Sequence, residues 1–265
     1  MKLQPVTSKS DIRIGDKDAR LDTGMDEKKL ERETARYSER ISELQRVLYA
    51  DGRFALLIVL QGRDASGKDG TIRKVFSIVN PQGCAVSRFA APSEYEMQHD
   101  YLWRVHQQVP ARGMIGIFNR SHYEDVLVPR VHGTVDKKEL SARYDQINDF
   151  ESMLAANGVT ILKFFLHISR KEQRRRLRER LSNPQKNWKF KAGDLDDREL
   201  WDEFGDAYRK VLSKTSTGVA PWFIVPADDK DVRDLLIAHT IADRLQKLRL
   251  RYPKADPKVL ALDID

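Results

Sequence analysis

Residues 54–71 read Phe-Ala-Leu-Leu-Ile-Val-Leu-Gln-Gly-Arg-Asp-Ala-Ser-Gly-Lys-Asp-Gly-Thr. An apolar run ends in a glycine-rich turn, and a lysine follows. The six residues from Phe54 to Val59 suit a strand buried on both faces. Gly62, Gly67 and Lys68 fit the pattern G-x-x-x-x-G-K, a loop that cradles phosphate. Such a loop needs glycine so that its backbone N–H groups can turn inward around an anion. The helix behind it points its positive end at the same anion. The loop backbone is therefore the expected cradle, with Lys68 as its point charge. Asp69 stands where a Ser or Thr usually offers a hydroxyl to magnesium, and the first hydroxyl comes at Thr71. Asp64 places a carboxylate beside the pocket, an unfavourable arrangement unless a metal or a proton accompanies it. Standing alone, the pattern marks only a strand–helix turn. Here an apolar strand precedes it and a helix, Asp69 to Val79, is expected after it, which is the context a phosphate site requires.

The rest of the chain alternates in the same way. Apolar runs at Cys84 to Phe89, Met114 to Phe118, Ile161 to Ile168 and Trp222 to Val225 read as strands. Helical spacing appears near 94–107, 137–156, 170–182, 196–213 and 229–249, and an amphipathic helix over 26–50 leads into the first strand. Strands alternating with helices imply βαβ units, a parallel sheet and right-handed crossovers. The expected fold is α/β, a three-layer α/β/α sandwich around five parallel strands. Residues 1–50 form an N-terminal arm and helix, and 51–265 form one domain with a lid at about 170–200. Ligands of such sheets bind beyond the carboxyl ends of the strands, which selects the segments after Leu60, Phe118 and Ile168.

The second of these reads Phe118-Asn119-Arg120-Ser121-His122-Tyr123-Glu124-Asp125. Arg120 has the geometry to grip a transferring phosphoryl group bidentately. Glu124 and Asp125 suit a divalent cation, directly or through water. The plainer reading is a capped helix start, with Ser121 and Glu124 completing a box. His122 reads as a hydrogen-bonding structural residue.

The third segment carries Arg170, Lys171, Arg174, Arg175, Arg176, Arg178, Arg180, Lys186, Lys189 and Lys191, with only Glu172 and Glu179 among them. A charge run is usually a solvated helix face, but this one is basic on several faces. Arg174 and Arg178 share one of them. A basic helix after the fourth strand suits a lid that brings cations to phosphate and excludes water. Trp188-Lys189-Phe190 forms its polar–aromatic tip, suited to pack a nucleobase or to dock the lid. Arg73, Lys74, Arg88 and Arg130 extend the expected positive field.

Composition agrees. Of 265 residues, 47 are Lys or Arg and 40 Asp or Glu, a net charge of +7 that points to an anionic partner. The single cysteine excludes an internal disulfide framework and fits a reducing compartment. No apolar run reaches the length of a membrane span, and a cytoplasmic location without a membrane partner is expected.

With these pieces assembled, the chain from about residue 40 onward resembles family 2 polyphosphate kinases. The resemblance rests on Leu60-Gln61-Gly62 through Lys68-Asp69-Gly70, on Phe118 through Glu124, and on Trp188-Lys189-Phe190. It implies a P-loop kinase fold with an Arg-rich helical lid, and magnesium-dependent transfer between inorganic polyphosphate and nucleotides. Carried over by motif, Asp64, Lys68, Arg120, Glu124 and Arg178 are the catalytic candidates. Asp64 and Glu124 are the candidate ligands for magnesium, or for manganese as the alternative. The phosphate-binding set comprises the loop from Ala65 to Thr71 with Arg73, Lys74, Arg120, Arg130, Arg174, Arg178 and Lys189. Many members have Asp at the position of Asn119, so this chain lacks a carboxylate ligand there. Glu124 resembles the subgroup that accepts both mono- and diphosphates. The expected nucleotides are AMP, ADP and ATP, with guanine nucleotides as an alternative. A homodimer or homotetramer is expected, and no nucleic-acid partner. Two rivals are an ATP-dependent nucleoside-monophosphate kinase of thymidylate-kinase type, which Asp69 disfavours, and a non-catalytic polyanion- or nucleic-acid-binding P-loop protein, for which aromatic base platforms are missing.

Overall fold

The computed structural model describes residues 2–190, 193–260 and 262. Helix α1 (Glu27–Asp51) starts where the Asp26 carboxylate accepts the Lys29 N–H at 2.8 Å. It stops at Gly52, whose φ of 63° suits a residue without Cβ. There follow β1 (Ala55–Gln61), α2 (Lys68–Phe76), β2 (Cys84–Arg88), α3 (Glu94–Met97), α4 (Trp103–His106), β3 (Ile115–Asn119), α5 (Glu124–His132) and α6 (Lys137–Ala156). The second half runs β4 (Val159–His167), α7 (Arg170–Ser182), α8 (Gly193–Glu199), α9 (Trp201–Thr215), β5 (Trp222–Pro226), α10 (Lys230–Lys247) and α11 (Pro257–Leu260).

All strand pairs are parallel, in the order β2-β3-β1-β4-β5. β1 lies at the centre and is fully buried, as its unbroken apolar run demands. Its residues alternate between two cores. Leu56, Ile58 and Leu60 pack with α1, α2 and α10, while Ala55, Leu57 and Val59 pack with α5, α6 and α9. The sheet is therefore the middle of three layers. Register decides what meets at its carboxyl end. Leu60 pairs with Asn119 and Gln61 with Phe165, so the loops after β1, β3 and β4 emerge side by side at the switch in strand order.

Three expected elements differ. The helical spacing over 94–107 yields two single turns, because the Asp100 carboxylate accepts the Leu102 N–H at 2.9 Å and interrupts the ladder. The helix expected over 196–213 is two helices that break at Leu200. The helix after the loop ends at Phe76 rather than Val79. The N-terminal arm is ordered on the core: Val6 N–H donates to Trp222 O at 2.8 Å, and Gly15 O receives His167 Nε2 at 2.8 Å. Among the described residues no helix is long and apolar enough to cross a membrane.

Candidate active site

The loop after β1 is closed by steric necessity. A Cβ on Gly62 would stand 2.7 Å from Leu166 O and 2.8 Å from Ser66 Oγ. Gly67 adopts φ 107°, and a Cβ there would overlap the Arg233 guanidinium. Ala65 takes a left-handed φ of 61° despite its side chain, at a cost of about 1–2 kcal/mol that the surrounding contacts must offset. Lys68 is buried and curls over the loop, donating from Nζ to Gly62 O at 2.6 Å and Arg63 O at 3.3 Å. Burial, reinforced by the nearby Arg120 charge, pushes its ammonium down to about 8, against the pull of Asp64, Glu124 and Asp69.

Arg120 enters from the end of β3 with a left-handed φ of 63°, an uncommon conformation for a side-chain-bearing residue. Its own N–H donates to Leu60 O at 3.0 Å, which ties the turn to β1. The guanidinium then forks, with one nitrogen 2.7 Å from Asp64 Oδ1 and the other 3.2 Å from Glu124 Oε2. Burial opposes the Arg120 charge, but Glu124 and Asp64 outweigh it and hold the group protonated. Burial pushes the Glu124 carboxyl up, and Arg120 and Lys68 oppose that push. With its amide oriented to suit its neighbours, Gln61 donates to Glu124 Oε1 at 3.0 Å and accepts from Ser121 N and Oγ. The expected Ser121–Glu124 capping box is therefore not formed. The cap residue of α5 is Tyr123, and the Glu124 carboxylate faces the phosphate loop. Asp69 accepts the Asn119 amide at 2.7 Å.

This donor set fits a divalent cation. Asp64 and Glu124 are hard oxygen ligands that converge on one cation, here Arg120, and magnesium is commonly held by one or two carboxylates with substrate phosphates supplying the rest. No group of three or more His, Cys, Asp or Glu suited to a metal occurs among the described residues, so a cation would depend on the substrate to complete its shell.

Helix α7, the expected lid, is fastened at its N-terminal end. Ser169 caps it, accepting the Glu172 N–H at 3.2 Å, and donates from N and Oγ to the Asp228 carboxylate, both at 2.8 Å. Gln173 donates to Asp64 O at 3.1 Å. Buried Arg176 donates to Ala65 O, Ser66 O, Ala227 O and Asp228 O over 2.7–3.2 Å. Arg174 and Arg178 lie on the opposite, exposed side of α7, where they and Arg170 depress Arg198, whose charge is disfavoured first by its own partial burial. They form a cationic strip rather than contacts to the loop.

Several expected phosphate ligands are engaged elsewhere. The Thr71 hydroxyl donates to Asp234 Oδ1 at 2.7 Å and its N–H to Gly67 O at 2.9 Å, so neither donor is free for the cradle. Lys74 reaches Glu31 on α1 at 3.4 Å, Arg73 is exposed on the second turn of α2, and Arg130 lies beside Tyr144 of α6. Lys191 lies outside the described residues, as does the side chain of Lys189. Asp125 pairs with Arg104 at 3.4 Å. His122 is fully buried against Glu151, which also binds Tyr123 and Lys163.

Arg63, Arg233 and the aromatic wall are not expected from the sequence, and Arg176 is not singled out there from the other basic residues of its run. Arg63 stacks on Trp201 at 3.8 Å, donates to its carbonyl at 2.6 Å, and is pushed down to about 10 by burial. Together with Asp64, Arg120, Glu124, Phe204 and Tyr208 it lines a cleft beside the loop. Its position inside the G-x-x-x-x-G-K run was the available signal.

Residues 24–253 match the family model described as Polyphosphate kinase 2 (PPK2). The chain is 53% identical over 219 residues to the AMP/ADP-polyphosphate phosphotransferase of Meiothermus ruber, covering 83% of this chain and 82% of that one. It is 48% identical over 231 residues to the ADP-polyphosphate phosphotransferase of Rhodopseudomonas palustris, covering 83% and 80%. The crystal structure of polyphosphate kinase 2 from Arthrobacter aurescens superposes with a TM-score of 0.85 at 38% identity, covering 100% of this chain and 96% of that chain.

Proposed function

Because the chain belongs to the polyphosphate kinase 2 family, we propose that the loop, Arg120 and the lid together phosphorylate AMP and ADP with inorganic polyphosphate as donor. The observation that carries the reading is the meeting of Lys68, Arg120, Asp64 and Glu124 at the carboxyl end of the central strand.

The chemistry is an in-line displacement. A terminal oxygen of the AMP or ADP phosphate attacks the end phosphorus of the polymer. The new P–O bond forms as the anhydride bond to the penultimate phosphate breaks, and the shortened polymer leaves with the electron pair. The attacking oxygen is already anionic at neutral pH, so no general base is required, and His122, buried against Glu151, is not placed to act as one. Catalysis reduces to positioning and charge neutralisation. Loop N–H groups and Lys68 hold the donor's terminal phosphates. Arg120 leaves its two carboxylates to stabilise the equatorial oxygens in flight. Arg174 and Arg178, exposed on α7 away from the loop, supply cations for the polymer's outer phosphates. Asp64 and Glu124 would hold magnesium, or manganese in its place, which would neutralise phosphate charge when bound. One phosphoanhydride replaces another, so the reaction runs in both directions.

Glu124, presented to the cleft beside Asp64, supports acceptance of both AMP and ADP. Purified protein with magnesium and long-chain polyphosphate is expected to convert AMP to ADP and ADP to ATP, read by chromatography of the nucleotides. Product from ADP alone would remove AMP from the acceptor set.

A further inference from the structure

The phosphate loop is braced from behind by a residue 167 positions away in sequence. In a trans peptide the N–H and C=O point to opposite sides, so a loop that turns N–H groups inward presents carbonyls outward. The outward carbonyl of Ser66 receives Arg233 NH1 at 3.3 Å and Arg176 NH1 at 3.2 Å. The N–H on the other side of that peptide belongs to Gly67. Arg233 fills the space that Gly67 leaves by having no Cβ, and it lies 3.5 Å from where a Cβ of Gly70 would stand. Its direction is fixed. Nε and NH2 donate to the Asp234 carboxylate at 2.8 and 3.0 Å, and Asp234 is held in turn by the Thr71 hydroxyl at 2.7 Å. Arg233 and Asp234 are 3% and 4% exposed. The guanidinium spends Nε and NH2 on Asp234 and turns NH1 to the loop, so what it contributes there is direction.

We propose that Arg233 is a positioning residue for the donor. By holding the Ser66 carbonyl outward it aims the Gly67 N–H at the polymer's terminal phosphates, and Asp234 and Thr71 keep it aimed. This rests on the reading of the loop as the polyphosphate cradle. It also accounts for the Thr71 hydroxyl, which belongs to the brace.

The test compares wild type, Arg233→Lys and Arg233→Ala by tripolyphosphate binding calorimetry, thermal melting, and separate KM values for polyphosphate and ADP. Lysine keeps the charge and the pairing to Asp234 but loses the fork. A folded Arg233→Lys is expected to bind tripolyphosphate about tenfold more weakly and to raise the polyphosphate KM as much. The ADP KM should move by less than about threefold. In Arg233→Ala, added methylguanidinium should restore part of the lost affinity. Tripolyphosphate affinity within about threefold of wild type in folded Arg233→Lys would overturn the proposal. So would equal rises in both KM values, which mark general distortion. Arg233→Lys carries the test if the alanine variant does not fold. Absence of tripolyphosphate binding by wild type would instead remove the underlying reading of the loop.

Discussion

The state of Lys68 gives a prediction with a definite direction. Its ammonium sits at about 8 rather than the usual 10.5, because burial disfavours the charge and Arg120 adds to the effect. The difference amounts to about 3 kcal/mol favouring the neutral amine relative to water. A bound phosphate restores the missing counter-charge and shifts the group back upward. Donor capture by free enzyme, reported by kcat/KM for polyphosphate, should therefore fall about tenfold per pH unit above pH 8. By contrast kcat, which reports the bound state, should stay level to about pH 9.5. The unfolded chain binds the Lys68 proton between about pH 8 and 10.5 while the folded chain does not, so this group's contribution to the stability of the ligand-free protein rises with pH across that window. Initial rates with saturating ADP and divalent metal, varied polyphosphate and pH from about 7 to 9.5 cover the window. In Lys68→Arg the alkaline limb should vanish, since a guanidinium stays charged, although the rate itself drops. A flat wild-type profile, or the same limb in Lys68→Arg, would mean that Lys68 is not the group that titrates.

Two further outcomes follow from the geometry. Arg120→Ala should lower kcat/KM by about 10²–10³ while the protein stays folded, because Arg120 is the cation that both Asp64 and Glu124 face; a near-normal rate would end its assigned role. Lys163→Met should cost about 3–5 kcal/mol in a urea melt at neutral pH, lowering the melting temperature by about 10 °C, since it leaves the fully buried Glu151 without its ion-pair partner. A loss under about 1 kcal/mol would mean that His122 and Tyr123 suffice to hold that carboxylate.

Sequence legibility divides along contact range. The run from Phe54 to Lys68 announces strand, loop and helix because each depends on neighbours in the chain: apolar residues for a buried strand, glycine for the turn, lysine after it. Arg120 was legible from its place at a strand end. The brace was not, since Arg233 reaches Ser66 from another helix and nothing near residue 233 marks it. The same limit hides the engagement of Thr71 with Asp234. In the basic run after β4, counting charges cannot separate Arg176 from Arg174 and Arg178. Only the docking of α7 sends Arg176 under the loop and leaves the other two exposed. The false helix over 94–107 fails for a local reason, a side-chain competitor at Asp100 whose weight against the helical spacing depends on packing.

The central claim is that the phosphates gripped by Lys68 and its loop belong to a polymer. Its most direct measurement is the rate of nucleotide phosphorylation by one preparation offered long-chain polyphosphate or ATP as the donor, with magnesium and AMP, and with Lys68→Ala as control. ADP, and then ATP, should form from AMP and polyphosphate with no ATP supplied, and Lys68→Ala should lose most of this rate. ADP formation only when ATP is the donor, with none from polyphosphate, would contradict it.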